Sequence, residues 1–307
     1  MKVVHFNTYN TGGAAKACLR THQGLLDAGI DSEVVVLYKT QNNFDNVFDF
    51  RDYMGFFKKK WKTFQNKLLL YRQDKTIKQL PKQTELFSFP YSVWDLTEHP
   101  KYKEADIIHL HWVVGFLDYP TFFKKCKKSI VWTFHDYEPF SGGFHYDFEV
   151  NSFSYLKLIK EHQAIKFNSL SECEINVICP SNFLSKKCEE AFNIGAYTNS
   201  IKKVIPNGII KNEIDFIELN DARNQLNLPQ DKKIVLYLSE YLFYKRKGLN
   251  YILELAKKNQ NEDILFCLVG NTQGKSLPNL KNIIHFPRTQ DSKKVNLFYS
   301  AADVYVN

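Results

Sequence analysis

The sequence predicts an α/β protein built from two successive parallel β-sheets, each flanked by helices. Short runs of β-branched and apolar residues alternate with amphipathic stretches along most of the 307 residues, which is the pattern of consecutive βαβ units. The chain opens with such a unit: an apolar strand over Lys2–Asn7, a helix over Ala14–Leu26 and a buried strand over Glu33–Tyr38. The length fits two domains of ~100–200 residues each.

The alternation continues to the end of the chain with one interruption. Further strands are predicted at Asp106–His111, Ile130–His135, Ile175–Cys179, Ile201–Ile205, Lys233–Leu238, Ile264–Val269, Ile283–Phe286 and Asp303–Asn307. Helices are predicted near Tyr119–Lys128, from Ser181, over Leu249–Lys258 and over Ser292–Ala302. The segment 42–104 breaks the alternation, and we interpret it as an insertion into the first domain.

A cluster of turn-forming residues separates the two halves. Ile205 is followed by Pro206, Asn207 and Gly208, residue types that are typical of turns. We therefore predict domains at 1–205 and 206–307, joined by a hinge. Because ligands of open parallel sheets bind at the carboxyl ends of the strands, the loops that follow strands are expected to line a cleft between the domains.

The composition is that of an ordinary globular protein. Charged residues make up 24% of the chain and the net charge is +8, which suits phosphorylated ligands or an anionic surface and does not favour nucleic acid. The 6 cysteines are scattered without a CxxC pair, so we predict reduced thiols in a cytoplasmic protein. The amino terminus turns polar too early for a signal peptide, and no apolar run reaches the ~18 residues of a membrane span.

A glycine pair follows the first predicted strand. Gly12 and Gly13 precede a helix, and the free N–H groups at a helix N-terminus can bind an anion. A tight turn between strand and helix is the alternative, and the pair by itself does not decide between the two. The segment is not GxGxxG, which argues against a dinucleotide site.

The segment 132–146 places polar groups directly after a predicted strand. His135 and Asp136 follow that strand; an imidazole there can donate to a sugar hydroxyl or a phosphate, and a nearby carboxylate can orient it. A glycine pair then permits a reversal that returns His145 and Tyr146 to the same region. A capped turn with a structural histidine is the alternative, and the concentration of these residue types favours a site.

Basic residues occur in two further settings. Arg246 and Lys247 lie between a predicted strand and helix of the second domain, where they can neutralise a diphosphate, although a solvated loop is the usual alternative. The segment Gly55–Arg72 mixes aromatic residues with lysines. It resembles a basic amphipathic helix that lies on an anionic bilayer, or, as we favour at this point, packs on its own domain with lysines facing solvent.

Metal binding is not predicted. The sequence has no cysteine and histidine group with ligand spacing, no Walker loop and no GxSxG elbow. His109 and His111 alternate along a predicted strand, and we expect their side chains on opposite faces, which would make them a poor metal pair. His111, near the end of this strand, is expected to line the cleft.

Seven segments together resemble the family 4 glycosyltransferases, most of all the bacterial group that builds capsule, exopolysaccharide and lipopolysaccharide. They are TGGAAKA (Thr11–Ala17), DIIHLHW (Asp106–Trp112), WTFHDYEPFSGGFHY (Trp132–Tyr146), CPSNFLS (Cys179–Ser185), VIPNGI (Val204–Ile209), KRKGLNYILE (Lys245–Glu254) and YSAADVYVN (Tyr299–Asn307). The resemblance implies the GT-B fold of two Rossmann-like domains. It also implies a retaining hexosyltransferase (EC 2.4) that uses a UDP- or GDP-linked sugar without a metal or other cofactor.

The resemblance implies partners and residue roles as well. The acceptor would be a glycan or a lipid-linked glycan, at the inner face of the cell membrane. His135 and Asp136 would be the catalytic residues. The donor would be bound by Gly12, Gly13, Asn207, Gly208, Arg246, Lys247, Gly270 and Phe286. The acceptor would be bound by Lys16, His111, His145 and Tyr146.

Two departures from the family pattern affect the expected donor site. The family has an arginine a few residues before the basic pair, whereas this chain has Ser239–Phe243 there. Arg246 would therefore have to take the place of that arginine in binding the diphosphate. The family also continues beyond Asn307, which makes the second domain incomplete by this comparison. A remnant that at most binds acceptor or nucleotide is therefore the second hypothesis. A sugar-nucleotide epimerase or dehydrogenase is the third, and the missing GxGxxG counts against it.

Overall fold

The computed structural model describes residues 1–40, 44–80, 86–146, 156–194, 200–210, 215–260 and 263–306. It divides the chain into two compact units, Met1–Gly208 and Ile209–Asn307. Both are parallel sheets flanked by helices, so the predicted α/β class with Rossmann-like units is confirmed. Among the described helices, none is long and apolar enough to cross a membrane.

The first unit contains a parallel sheet of 7 strands in the order β3-β2-β1-β4-β5-β6-β7. The strands are β1 (Lys2–Tyr9), β2 (Asp31–Tyr38), β3 (Val47–Asp49), β4 (Ile107–Leu110), β5 (Ser129–Thr133), β6 (Ile175–Cys179) and β7 (Ser200–Val204). The strand order reverses between β1 and β4. That point is where doubly wound sheets bind their ligands, beyond the carboxyl ends of the strands.

Helices cover both faces of this sheet. They are α1 (Gly13–Asp27), α2 (Phe56–Ile77), α3 (Pro100–Glu104), α4 (Tyr119–Lys125), α5 (Leu156–Leu170) and α6 (Asn182–Ile194). One face carries the main apolar core, in which Trp132 and Phe134 are at most 1% exposed. Burial of such large side chains is the dominant stabilising contribution. The opposite face, toward α1, combines a small aliphatic cluster around Val34 and Val36 with buried histidines.

The second unit contains a 4-stranded parallel sheet in the order β10-β9-β8-β11. Its strands are β8 (Lys233–Tyr241), β9 (Ile264–Asn271), β10 (Ile283–Phe286) and β11 (Val304–Val306), and its helices are α7 (Leu219–Gln225), α8 (Leu249–Lys258) and α9 (Ser292–Ala301). Asp303 anchors the start of β11, because its Oδ2 accepts from Arg223 Nη2 and from the Ile234 N–H, both at 2.7 Å. Apolar clusters lie on both sides of the sheet.

The predicted insertion joins the sheet. The segment 42–104 contributes β3, which pairs in parallel with β2 and extends the sheet at its edge, and the long helix α2. The sequence analysis did not identify β3, α5 or α7. The first two loops of interest, after β1 and after β5, lie at the carboxyl edge of the first sheet as expected.

Candidate functional site

An open depression of about 240 Å³ lies at the carboxyl ends of β5 and β6. Its lining consists of His135, Asp136, Tyr137, His145, Tyr146, Pro180, Ser181, Phe183 and Leu184. The segment 135–146 thus supplies one wall and the start of α6 supplies the other. The structure brings together four of the sequence-predicted site residues here: His135, Asp136, His145 and Tyr146.

Asp136 is the centre of a hydrogen-bond network at this site. Its Oδ2 accepts from His145 Nδ1 at 2.7 Å and from the Trp112 indole at 3.1 Å, and its Oδ1 accepts from the Glu138 N–H at 2.9 Å. Burial alone would raise the pKa of Asp136, but the interaction with His145 and the other hydrogen-bond donors lower it overall. Asp136 is therefore a carboxylate at neutral pH. It orients His145 rather than His135.

His145 is buried with both ring nitrogens engaged. It is 0% exposed, and its Nε2 lies 2.6 Å from Ser88 Oγ, a residue that the sequence analysis did not single out. The returning loop depends on its glycines. A Cβ at Gly142 would lie 2.1 Å from the Ile159 carbonyl oxygen. Gly143 has φ +132°, and a Cβ at that position would lie 2.5 Å from the Phe87 ring. These contacts favour a positioning role for His145.

A buried ion pair holds the loop between these residues. Lys166 on α5 is 0% exposed and its Nζ lies 2.6 Å from Glu138 Oε1. Lys166 Nζ also donates to the Glu138 carbonyl oxygen, and the Tyr119 hydroxyl donates to Glu138 Oε2 at 3.0 Å. The pair ties α4 and α5 to the segment after His135. It fixes the wall of the depression without facing it.

His135 presents a neutral imidazole. Burial lowers the pKa of His135 to about 4, although the charge of Asp136 acts in the opposite direction. At neutral pH the ring therefore has one N–H and one lone pair. Nε2 lies 3.3 Å from His111 Nδ1, so Nδ1 is the ring nitrogen left for a ligand in the depression.

The expectation for His109 and His111 is wrong. Side chains alternate along a strand, so residues two apart share a face, and the two rings stack with their centroids 4.2 Å apart. His5 on β1 joins them, and ligand atoms of the three lie within 4.8 Å of one another. All are buried. His111 therefore contacts the buried side of His135 and does not reach the surface where an acceptor would bind.

The other predicted residues of the first unit lie beside β1 and at the end of the unit. Gly12 has φ 97° and precedes α1, whose N-terminus has no side-chain cap, so the first-turn N–H groups remain available to an anion. Lys16 is exposed on the first turns of α1. Asn207 and Gly208 are exposed beyond β7, and the Gly208 carbonyl oxygen accepts from Arg20 Nη1 at 3.3 Å.

In the second unit, the basic pair follows β8 and precedes α8, as predicted. Arg246 and Lys247 lie in a short 3-10 turn that ends at Gly248, whose φ is 76°. The Lys247 carbonyl oxygen accepts from the Tyr237 hydroxyl at 2.9 Å, which holds this turn against the strand. Arg288, after β10, also lies at this edge and pairs with Glu240 at 2.7 Å. Nothing in the sequence pattern pointed to Arg288.

Gly270 and Phe286 also lie at the carboxyl ends of strands in the second sheet. A Cβ at Gly270 would lie 2.1 Å from the Ser239 carbonyl oxygen, so close packing of β8 and β9 alone requires a glycine there. The Phe286 ring packs on Phe298 with centroids 4.9 Å apart. Both residues therefore have structural roles, and their contact with a nucleotide base stays a prediction.

Comparison with known proteins gives a family match within the second unit. Residues 219–307 match the family "Glycosyl transferases group 1". A curated relative, the putative colanic acid biosynthesis glycosyl transferase WcaI of Escherichia coli K12, is 36% identical over 59 residues. That match covers 19% of this chain and 14% of the relative.

Solved glycosyltransferases share the fold over the whole chain. WaaG, a glycosyltransferase involved in lipopolysaccharide biosynthesis, has a TM-score of 0.59 at 14% identity, with 99% of this chain and 74% of WaaG covered. Sucrose-phosphate synthase from Thermosynechococcus elongatus has 0.58 at 18% identity, with 99% and 75% covered. Anabaena Alr3699/HepE in complex with UDP has 0.56 at 14% identity, with 99% and 73% covered. The chain therefore has the GT-B fold, and its residues 219–307 resemble the group 1 glycosyltransferases.

Proposed function

We propose that this protein transfers a sugar from a nucleotide-sugar donor to a glycan or lipid-linked acceptor in bacterial surface polysaccharide synthesis, with retention of configuration. The observation that carries the proposal is the glycosyltransferase group 1 match over the second unit. The likeness to a colanic acid enzyme and to WaaG supports the polysaccharide context. The ordered site at His135 and Asp136 supplies groups that suit a sugar.

Each of the two units has its own proposed role in substrate binding. Arg246 and Lys247 bind the diphosphate of the donor, since cationic side chains at a strand-to-helix turn stabilise that charge without a metal ion. The N-terminus of α1 adds backbone donors. His135 contacts the transferred sugar, and Tyr146 lines the acceptor side of the depression. Asp136 and His145 hold this constellation in place.

Binding of UDP or GDP tests the donor site directly. We expect one of the two nucleotides to give saturable heat in calorimetry and to raise the unfolding temperature, because a ligand of the folded state stabilises it. Lys247→Ala should weaken that affinity roughly tenfold, since a charge-assisted contact contributes about 1.5–3 kcal/mol.

The matched control is Lys257→Ala, which removes the same charge from the opposite end of α8 and should leave affinity unchanged. Equal losses in both variants would indicate a general electrostatic effect. Absence of binding to either nucleotide, in a folded sample, would contradict the proposed donor site.

We further propose that α2 lies on an anionic membrane surface. The helix exposes Phe57 at 85%, Trp61 at 60% and Phe64 at 51%, and of its 22 residues the buried one is Asn66. Lys60 and Lys67 line the same shallow surface as Phe64, so apolar and cationic groups share one side of the helix. Lys58 and Lys62 instead contact Glu98 and the Val93 carbonyl oxygen of the same domain. The helix thus contacts its own domain, and the side that it turns to solvent carries aromatic residues as well as lysines. A bilayer interface accommodates both kinds of side chain.

Vesicle binding tests this surface. We expect sedimentation with vesicles containing phosphatidylglycerol and little with pure phosphatidylcholine. Lys60→Ala combined with Lys67→Ala should weaken binding roughly tenfold or more, because each lysine near an anionic surface contributes about 1 kcal/mol. Lys157→Ala on α5, whose side chain is 90% exposed, is the control. Equal binding to both lipid compositions would count against the proposal.

A further inference from the structure

Three aromatic side chains lie next to one another at the carboxyl ends of neighbouring strands in the first sheet. Tyr9 on β1 is the cross-strand partner of Tyr38 on β2, and the two rings stack with their centroids 5.4 Å apart. Trp112 follows β4, and its ring centroid lies 6.1 Å from that of Tyr9. We call Tyr38, Tyr9 and Trp112 the aromatic strip.

The backbone of the sheet holds the aromatic strip in place. Tyr9 and Tyr38 are the last residues of β1 and β2, and cross-strand aromatic pairs stabilise a sheet. The Thr8 N–H donates to the Trp112 carbonyl oxygen at 2.8 Å, and the Trp112 N–H donates to Asn7 Oδ1 at 2.8 Å. Because the rings are already ordered, a ligand that binds them loses little free energy to their immobilisation.

The aromatic strip is open to solvent. Tyr9 is 40% exposed, and Tyr38 and Trp112 are half-buried. By contrast, Trp132 and Phe134 in the core of the same unit are at most 1% exposed. Partly exposed aromatic rings at the ligand-binding edge of a doubly wound sheet indicate a binding surface rather than part of the core.

One end of the aromatic strip continues into the depression at His135. The Trp112 indole donates to Asp136 Oδ2 at 3.1 Å, and its ring centroid lies 5.9 Å from that of His145. Asp136, His145 and His135 all line the depression. Since the strands β2, β1, β4 and β5 are successive neighbours about 4.8 Å apart, the strip and the depression together extend over roughly 14 Å of this edge.

The other end of the aromatic strip meets α2. The Tyr38 hydroxyl accepts from Asn66 Nδ2 on that helix at 3.3 Å, and Asn66 is the buried residue of α2. The strip therefore connects the helix that we propose to lie on a membrane with the depression where a sugar is proposed to bind. A lipid-linked glycan requires such a surface, because its lipid end stays at the membrane while its growing end reaches the site of transfer.

Two charged groups contact the aromatic strip, and both are already paired. Arg51 Cζ lies 5.0 Å from the centroid of the Tyr38 ring, but the guanidinium forms an ion pair with Asp49 at 2.6 Å. Asp136, beside Trp112, bonds to His145 at 2.7 Å. A phosphate therefore gains no unpaired cation from these two groups. A sugar ring, which has an apolar C–H face and a rim of hydroxyl groups, suits aromatic side chains with polar neighbours.

We infer that the aromatic strip binds the sugars of the acceptor glycan that precede the sugar at the site of transfer, with Tyr9 as the main stacking surface. That the bound glycan is the acceptor rests on the proposed function. The ligand class is an oligosaccharide that is uncharged along the part that lies on the strip. A nucleobase could also stack on these rings, but the continuity of the strip with the depression favours a glycan.

Binding of oligosaccharides of increasing length to the full chain tests the inference. The probes are uncharged gluco-, galacto- and manno-oligosaccharides of one to four units, measured by saturation-transfer NMR and calorimetry. We expect at least one trisaccharide or tetrasaccharide to bind roughly tenfold more tightly than its monosaccharide, because only the longer ligand reaches the strip. Tyr9→Leu should remove most of this gain, since leucine keeps apolar bulk without a flat ring, whereas Tyr9→Phe should retain it.

Tyr91→Leu is the matched control. Tyr91 belongs to the same unit and is 38% exposed, but its ring lies beside His162, with centroids 6.3 Å apart, and outside the strip. It should bind every probe as the wild type does, and equal losses in Tyr9→Leu and Tyr91→Leu would overturn the inference. Tyr9→Leu should bind UDP and GDP as the wild type does, and a loss of nucleotide affinity would show that the strip binds the nucleobase instead.

The remaining outcomes separate this inference from the proposed function. Equal affinity for monosaccharides and longer oligosaccharides throughout the panel, or no binding of any probe, would overturn the inference. Sugar transfer with an unchanged acceptor KM in Tyr9→Leu would also overturn it, while leaving the proposed function in place. Length-dependent binding that is lost in Tyr9→Leu, without sugar transfer by the wild type, would count against the proposed function only.

Discussion

We expect His135→Ala to lower sugar transfer at least about a hundredfold while the protein remains folded and binds nucleotide, because preorganised polar contacts to the reacting group typically contribute that much. His135 lines the depression. Its removal deletes the side chain proposed to contact the transferred sugar and leaves the Asp136 network intact. Turnover of a panel of nucleotide sugars that carry the nucleotide identified by calorimetry, measured by release of that nucleotide, tests this.

His99→Asn is a matched control for this variant. His99 lies in the insertion, where its ring stacks on Phe50 with centroids 5.2 Å apart and its Nδ1 caps α3. Asparagine is a good N-cap, so the substitution removes an imidazole from the same unit without touching the depression. Wild-type turnover in His135→Ala would remove His135 from the catalytic site. Loss of turnover in both variants would indicate a general loss of structure.

The periodicity of the sequence was sufficient to predict the sheets. Buried parallel strands appear as continuous apolar runs, and Ile175–Cys179 and Ile283–Phe286 have the predicted bounds. The elements that were missed have weaker patterns. β3 is 3 residues long, and α5 buries Lys166 and His162 among its apolar positions, which disguises the helical spacing. Such elements are stabilised by contacts with distant parts of the chain, and the pattern of neighbouring residues in the sequence does not show these contacts.

The candidate site was only partly predictable. The concentration of His135, Asp136, His145 and Tyr146 around a glycine pair located the loop, and the structure brings these residues together. It did not reveal which partner each side chain has. Asp136 bonds to His145 and Trp112 rather than to His135, because the return of the loop determines which ring reaches the carboxylate.

The contacts among the buried histidines of the first sheet could not be predicted from the sequence for a different reason. His5, His22 and Ser32 belong to the first forty residues, while His111 and His135 come about a hundred residues later in the chain. Only the strand order brings them into one line. A correct reading of His109 and His111 as residues on the same face would have provided the first signal.

The structure also predicts a large effect on stability from the ion pair behind the site. Lys166→Met should destabilise the first unit by about 3–5 kcal/mol, because removing one partner of a buried pair leaves an uncompensated charge. Lys166 and Glu138 are 0% and 4% exposed, so water cannot replace the lost partner. Chemical denaturation followed by the fluorescence of buried tryptophans, such as Trp132 in the core of this unit, would measure the change.

Two further variants isolate the physical cause. Lys166→Met combined with Glu138→Gln removes both charges and keeps an acceptor for the Tyr119 hydroxyl, so we expect it to recover a large part of the loss. Lys125→Ala breaks a pair with Asp95 at 2.6 Å, but the Lys125 side chain is 54% exposed, and exposed pairs contribute at most about 1 kcal/mol. If the double variant were no more stable than Lys166→Met, lost packing rather than the unpaired charge would explain the effect, and the segment 136–146 would owe its position to the apolar contacts of α5.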